Sequence, residues 1–474
     1  MIIKETDFGA PPEKLFAGLH DRAGSFLLDS AQPAGGLGTW SFLGFDPFLV
    51  FRAKGAEITV VRAGRAETFR GDPLAELRKL FQRYRGASAA NLPFSGGAVG
   101  YFSYELCALL ERIPRTSPDN AAIPDMEFGF YDGILAFDHG AGKSYIVANP
   151  VGDRDADAIV RGVEAVLSSA GVPRSGTGFQ PVLSTNTDRD ARATSESETA
   201  ALPRSNFTKP EYLAAIARIK DYIAAGDVYQ VNLSQRFEAP LPCHPFVLYQ
   251  RLRKQSPAPF ASYLNCGTLQ IAGSSPERFL RLRGDRVETR PIKGTRPRGR
   301  FPGEDARLGA ELLASEKDRA ELLMIVDLER NDLGRVCEVG SIHVDEIFRL
   351  ETHPTVHHLV AAVSGRLRAG CDAFDCVRAM FPGGSITGAP KIRAMQIIDE
   401  IEPSRRHLYT GAVGYLGFDG NCDLNIAIRT IYCLGDRAYY HAGGGVVWDS
   451  DPGAEYQETL DKARAMRAAL TEYE

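Results

Sequence analysis

The spacing of apolar residues changes several times along this chain, and each change marks an element. Segments 25–28, 97–104 and 129–138 are apolar and aromatic runs bounded by turn-forming residues, which predict strands. Segments 73–84 and 155–170 carry apolar residues at helical spacing. Residues 1–171 therefore read as an α+β portion. Further on, Thr208, Lys209, Pro210 and Glu211 form a capping box ahead of a stripe at Leu213, Ile216, Ile219, Tyr222 and Ile223, which Gly226 can terminate. The period then drops to two. Tyr229, Val231, Leu233 and Phe237 point one way while Gln230, Asn232, Ser234 and Arg236 point the other, as in a half-buried strand with an unusually polar second face. A strand with that face in solvent has the same pattern.

Segment 269–299 reads as two strands joined at Gly284-Asp285. A three-residue loop, Gly284 to Arg286, pairs Arg283 with Val287 and hence sets Glu277 opposite Lys293. This is the preferred register. A two-residue loop shifts the pairing by one and requires a bulge near Pro276 and Pro291 to bring acid and amine back together. Two later helices carry carboxylates. Ser315 and Asp318 can cap a helix whose inward stripe is Met324, Ile325 and Leu328, with Glu321 on the same stripe. Asp451-Pro452 starts another, with Glu455, Glu458 and Lys462 on one face. A solvated ladder of ion pairs would look the same, but two such helices brought together offer an all-oxygen donor set that suits magnesium better than zinc. Ahead of the second helix, Gly443-Gly444-Gly445 exposes backbone N–H groups to which a carboxylate could bind.

Composition narrows the class. The chain has 474 residues, 44% hydrophobic and 24% charged, with a net charge of −5. These are globular values and recommend neither a nucleic acid nor a membrane as partner. The N-terminus is charged too early for a signal peptide and no apolar run is long enough to span a bilayer, so a cytoplasmic protein is expected. The eight cysteines are scattered without close Cys-x-x-Cys pairs, which argues for reduced thiols. Segment 172–206, rich in Ser, Thr, Arg and Gly, reads as a disordered linker between the first portion and residues 207–474.

The chemistry centres on Lys293 in the run Pro-Ile-Lys-Gly-Thr-Arg-Pro-Arg-Gly. A lysine is a nucleophile at neutral pH only when burial or neighbouring positive charge lowers its pKa from about 10.4. Arg296 and Arg298 could supply that charge; a surface lysine in a basic turn is the plain alternative. Glu277 could likewise be an ordinary salt-bridge acid. The run Gly383 to Gly388 has phosphate-loop spacing, but Ala389-Pro390 follows where Lys-Ser/Thr is required, so it is not a nucleotide site.

Eight segments carry a resemblance: GDVYQVNLSQRF, SSPERFL, PIKGTRPRG, ELLMIVDLERNDLGRV, HPTVHHLV, FPGGSITGAPKIRAMQIIDEIEP, DLNIAIRT and HAGGGVVWDSDPGAEYQET. Together they resemble the chorismate-utilising enzymes, over nearly the whole chain and most strongly from residue 208 to 470. The resemblance implies an anthranilate-synthase-like α+β fold, two antiparallel sheets face to face under outer helices, with the active site in the central cleft. It implies that Lys293 is the nucleophile and Glu277 the acid that protonates the departing hydroxyl. Glu321 and Glu458, with Glu455 through water, would hold Mg2+. Arg429, Tyr409 and Gly445 match positions that bind the enolpyruvyl carboxylate, and Thr295, His358 and Lys462 match positions that orient ring substituents or the metal-bound carboxylate. His358 could equally be a satisfied core histidine.

Lysine in PIKGT is similar to the aminodeoxychorismate synthase component I group, whereas anthranilate synthase component I typically has alanine there. Gln230 stands where the isochorismate and salicylate synthases carry a lysine base for water, and a neutral amide cannot take that role. Both point to amination of chorismate by ammonia, giving 4-amino-4-deoxychorismate on the route to 4-aminobenzoate and folate. No cysteine lies in a glutaminase-type nucleophile turn, so a separate glutamine amidotransferase subunit is the expected partner, in a heterodimer. No lyase is recognisable, so release of pyruvate falls to another enzyme. Segment 26–30, with Leu28 and Ser30, resembles one that lines a tryptophan pocket; it is also a plausible edge strand and turn. Anthranilate synthase component I is the alternative activity. A non-catalytic chorismate- or tryptophan-binding regulator is the remote one, disfavoured because Glu277, Glu321 and Glu458 are all present.

Overall fold

The structure, a computed structural model, describes residues 1–31, 37–87, 89, 91–170 and 202–471. Two antiparallel sheets pack face to face. One runs from Ile2–Glu5 through Phe26–Asp29 and Leu269–Ser275 to the paired strands Arg437–Val446 and Gln230–Pro240. The other runs from Ile292–Pro297 through Val356–Arg366, Arg286–Arg290 and Arg278–Arg283 to Gly97–Phe102 and on to Arg65–Arg70. Each sheet takes strands from both sides of segment 171–201, which lies outside the described residues. The two portions of the chain thus share both layers. Residues 204 and 205, placed in the linker by composition, form a short strand paired with Phe237 and Glu238.

Successive side chains on a strand point to opposite faces, and here both faces are covered. In Gly97–Phe102, Val99 and Tyr101 face the other sheet while Ala98 and Phe102 pack beneath helices. The layer between the sheets is filled by Phe26, Phe42, Tyr101, Tyr131, Ile271 and Tyr415, among others. Helices Pro73–Arg83, Ala156–Ser169 and Lys209–Ala224 form where the helical spacing predicts them, capped by Asp72, Asp155 and the Thr208–Glu211 box. Gly226, at φ +81°, follows the last of these. All eight cysteines are free thiols. No helix among the described residues is long and apolar enough to cross a membrane.

Four local expectations need correction, and two share one cause. Segment 129–138 is two strands, Met126–Tyr131 and Gly133–Asp138, because the chain crosses from one sheet to the other at Asp132. Segment 269–299 is four strands, and it crosses between sheets at Pro276-Glu277. The hairpin has a two-residue loop, with Arg283 opposite Arg286 and Gly284 at φ +58°, as a primed turn requires. A bulge between Arg278 and Arg281 then shifts the pairing by one more residue, so Arg278 lies opposite Arg290. Finally, the strand starting at Gln230 is not half-buried. Every residue from Gln230 to Phe237 is buried, and Tyr229 lies outside the strand, 72% exposed.

Candidate active site

Crossing points build the centre of the site. Glu277 sits where the chain leaves the first sheet, and Arg429 where it returns between Cys422–Asn425 and Thr430–Leu434. The two crossings are laced together: Ile426 N–H donates to the Glu277 carbonyl at 3.0 Å, and Ser274 N–H to that of Arg429 at 3.0 Å. Glu277 is 3% exposed. Its Oε1 accepts from Ser385 Oγ at 2.6 Å and from Ile292 N–H at 3.3 Å. Burial pushes this carboxyl up to about 7, against the opposing pull of those two donors and of Lys293 and Lys462.

Lys293 follows Ile292, whose N–H donates to Glu277, so the crossing brings amine and acid near each other without the three-residue register. Among the described residues its Nζ has no hydrogen bond or ion pair. Burial lowers its pKa and Lys462 adds to the effect, while Glu321, Glu277 and Glu458 oppose it. Arg296 and Arg298 do not crowd it. Arg296 pairs with Asp318 at 2.9 Å and Arg298 with Asp305 at 2.7 Å.

The cleft opens where facing positions of the two sheets become polar or small. A Cβ on Gly445 would fall 1.8 Å from Gln230 Nε2 and 3.3 Å from Lys293 Nζ; one on Gly443 would fall 2.9 Å from the Tyr409 hydroxyl. Gln230 Oε1 is buried without a hydrogen-bond partner. Both glycines lie within the Arg437–Val446 strand and pair with the strand from Gln230, Gly443 with Ser234 and Gly445 with Asn232. The glycine run is thus part of a sheet ladder, not a free nest ahead of the helix.

Around this centre stand the other predicted residues. Thr295 and His358 are cross-strand partners, with Thr295 Oγ1 2.9 Å from His358 Nδ1. His358 Nε2 is buried and unpartnered, and burial, with Arg429 and His353, holds the ring neutral. Arg429 adopts φ +48°, a conformation that costs a non-glycine residue about 1–3 kcal/mol and so must be held by its surroundings. Among the described residues no carboxylate pairs with its guanidinium. Burial lowers its pKa while Glu277 counters. Tyr409 stacks on His441 with centroids 5.0 Å apart. Lys462 Nζ donates to Glu458 at 2.7 Å and to the Gly443 carbonyl at 2.9 Å.

Glu321 projects from the helix Glu316–Gly334, and Glu455 and Glu458 from Pro452–Thr471. A Cβ on Gly444 would lie 3.1 Å from Glu455 Oε2 and 3.4 Å from Glu458 Oε1, so these two carboxylates flank one glycine. Glu455 Oε1 accepts from Ser450 at 2.6 Å, and its Oε2 is a buried orphan. Burial raises Glu321 and Glu455; it acts the same way on Glu458, but Lys462, Lys293 and Lys317 together outweigh it and the net shift is down. An all-oxygen set with an unpartnered buried oxygen has the chemistry for a hard divalent cation. Among the described residues, however, the donors gathered within 4.8 Å of one another are His20, Asp21 and His244. His244 Nδ1 accepts the Phe246 amide at 3.2 Å, which leaves its Nε2 as an N–H toward Asp21.

Leu28 and Ser30 lie apart from these residues, in the wall of a cavity of about 190 Å³ between the sheets, with Trp40, Phe260, Arg278 and Tyr415. Residues that local reading missed act over long sequence distances: Ser385 on Glu277, and Arg406, which bonds Glu402, Thr410 and the carbonyls of Asn232 and Ile386. The only local signal was the GGSITG run, whose spacing is that of a tight turn.

Comparison with known proteins agrees with this geometry. The chorismate binding enzyme family matches residues 26–468. Aminodeoxychorismate synthase component 1 of Bacillus subtilis is 40% identical over 446 residues, covering 94% of this chain and 91% of its own. Anthranilate synthase component 1 of Acetivibrio thermocellus is 38% identical, covering 97% and 93%. The crystal structure of anthranilate synthase component I from Streptococcus pneumoniae superposes with a TM-score of 0.78 at 33% identity, covering 90% and 92%. The chain belongs to the chorismate binding enzyme family.

Proposed function

We propose that this chorismate-utilising enzyme is an aminodeoxychorismate synthase component I, converting chorismate and ammonia to 4-amino-4-deoxychorismate. The observation that carries the reading is the amine of Lys293, enclosed and without an ion-pair partner, beside the buried carboxyl of Glu277. Lys293 adds conjugately to the ring as the hydroxyl leaves, taking the Glu277 proton to depart as water. Ammonia then adds where the hydroxyl was, and the amine is expelled. Acid and amine titrate as a coupled pair. The charges balance only if Lys293 starts neutral, which its burial favours.

Arg429 has a free guanidinium fork for the enolpyruvyl carboxylate, with Tyr409 and the Gly443–Gly445 strand beside it. Glu321 and Glu458, with Glu455 through water, would hold magnesium, which supplies charge neutralisation for the ring carboxylate. Gln230 supplies no base, consistent with ammonia rather than water as the attacking molecule. A glutamine amidotransferase subunit would deliver that ammonia; the relatives are themselves named as component 1. The cavity lined by Leu28 and Ser30 would take tryptophan.

The relatives divide between two activities at similar identity, so anthranilate synthase is the competing reading. The chain incubated with chorismate, magnesium and ammonium at alkaline pH, with and without an aminodeoxychorismate lyase, separates them. The expected result is 4-aminobenzoate only when the lyase is present. Direct formation of fluorescent anthranilate by the unmodified chain would overturn the proposal.

A further inference from the structure

The run Gly383 to Gly388 has the spacing of a phosphate loop without its chemistry, and its place in the fold gives it another use. Gly384–Ile386 is a single 3-10 turn wedged between the acid and the helix Glu316–Gly334. On one side Ser385 Oγ donates to Glu277 Oε1 at 2.6 Å; on the other Gly384 N–H donates to Glu329 Oε1 at 2.9 Å. A Cβ on Gly384 would lie 2.6 Å from Leu328 Cδ2 and 3.1 Å from Glu329 Oε1, so the turn is pressed onto the helix. Glu329 is 2% exposed, and its Oε2 has no hydrogen-bond partner.

The charged groups facing Glu329 are Lys391 from the helix Lys391–Ile401, Asp332 from its own helix and Glu277 from the crossing; Arg335 and Glu111 act in turn on Asp332. Lys391 does not satisfy the orphan oxygen. Its ammonium is taken up by Asp332 and by the carbonyls of Met380 and Pro382, both at 2.8 Å. Two buried acids therefore share one turn, and among the described residues no cation is bonded to either.

We propose that Glu329 is a positioning residue for the catalytic acid: through the Gly384–Ser385 turn it fixes the hydroxyl on Glu277, and its negative charge keeps the Glu277 proton in place. This rests on the reading of Glu277 as general acid. Burial, which pushes Glu329 up to about 7, puts its ionisation in the range where the acid works.

The test is the pH profile of kcat for chorismate amination by the full chain with magnesium and ammonium. In Glu329→Gln the amide oxygen still accepts the Gly384 N–H, but the charge is gone. The alkaline limb is expected to move down by about half a pH unit or more, with KM for chorismate unchanged. Ser385→Ala, which leaves the glycine turn intact, removes a bond that favours the charged carboxylate and is expected to move the limb up; it reads the same relay should Glu329→Gln fail to fold. A limb that stays in place in both variants, or a loss of kcat uniform across pH, would overturn the proposal. Glu277→Gln keeps the two claims apart: full activity in that variant removes the acid assignment, whereas its inactivity beside unshifted profiles removes only the role of Glu329.

Discussion

Gly445 has no side chain, and that absence is what leaves room for both Gln230 and Lys293: its missing Cβ would sit 1.8 Å from the Gln230 amide nitrogen and 3.3 Å from Lys293 Nζ. Gly445→Ala must therefore drive the Gln230 amide from its place, while Lys293 itself gives by only a few tenths of an ångström. A displacement of about 1 Å at a reacting centre costs on the order of 100-fold. Steady-state assays should show a fall of up to that size in kcat/KM for chorismate, with far-UV circular dichroism unchanged. A variant as active as the unmodified chain would show that the amine does not depend on this gap.

Among the described residues, no carboxylate pairs with the buried guanidinium of Arg429. Charge-assisted hydrogen bonds contribute about 1.5–3 kcal/mol, so Arg429→Ala should raise KM for chorismate by about 10-fold to about 100-fold. Arg429→Lys should recover only part of this, because an ammonium lacks the planar fork. Unchanged KM values in both variants would place the carboxylate elsewhere.

The turn carrying Tyr409 is held by a buried ion pair. Arg406 and Glu402 are 1% and 3% exposed, and the guanidinium also reaches the Asn232 and Ile386 carbonyls. Arg406→Leu leaves Glu402 buried and unpaired, for which the loss is about 3–5 kcal/mol. Urea unfolding should show it as a lower midpoint at similar slope. A stability change near zero would mean that water reaches Glu402.

Stability should also fall as pH rises above neutrality. Burial pushes Glu105, Glu127, Glu277 and Glu329 each up to about 7, so the folded state holds protons that the unfolded chain releases near pH 4.3. Their contribution is present in acid and is lost as pH rises through about 7. Burial lowers His353 and His407 to about 4, which works the other way, adding stability as pH rises to about 6.5. Beyond that point the lowered Lys293 still works against the acids, but the four of them outnumber it. Urea midpoints should decline between about pH 6.5 and about pH 8 at constant ionic strength; a rising midpoint would contradict these carboxyl assignments.

What the sequence made legible was local. The Thr208–Glu211 box and the Ser315 start depend on side chains within four residues of each helix end, and both form as expected, while Asp72 and Asp155 cap the helices expected over 73–84 and 155–170. The sheet crossings at Asp132 and Glu277 were not legible, because strands buried on both faces carry no alternation to show where one sheet ends. The hairpin register failed for another reason: the turn at Gly284-Asp285 closes with two residues rather than three, and a bulge between Arg278 and Arg281 shifts the pairing by one more. Site identity came from the motifs, but the partners that tune the site did not. Lys462, not Arg296 or Arg298, brings positive charge to Lys293, and Ser385 reaches Glu277 across 108 positions of sequence.

The most direct test of the account is the mass of the protein itself. The chain would be mixed with chorismate and magnesium without ammonium, quenched, and analysed intact and after digestion. The expected result is an adduct of chorismate less one water on the peptide containing Lys293, discharged by added ammonium and absent from Lys293→Ala. An unmodified mass under turnover conditions, together with a Lys293→Ala variant that still aminates chorismate at the original rate, would contradict it.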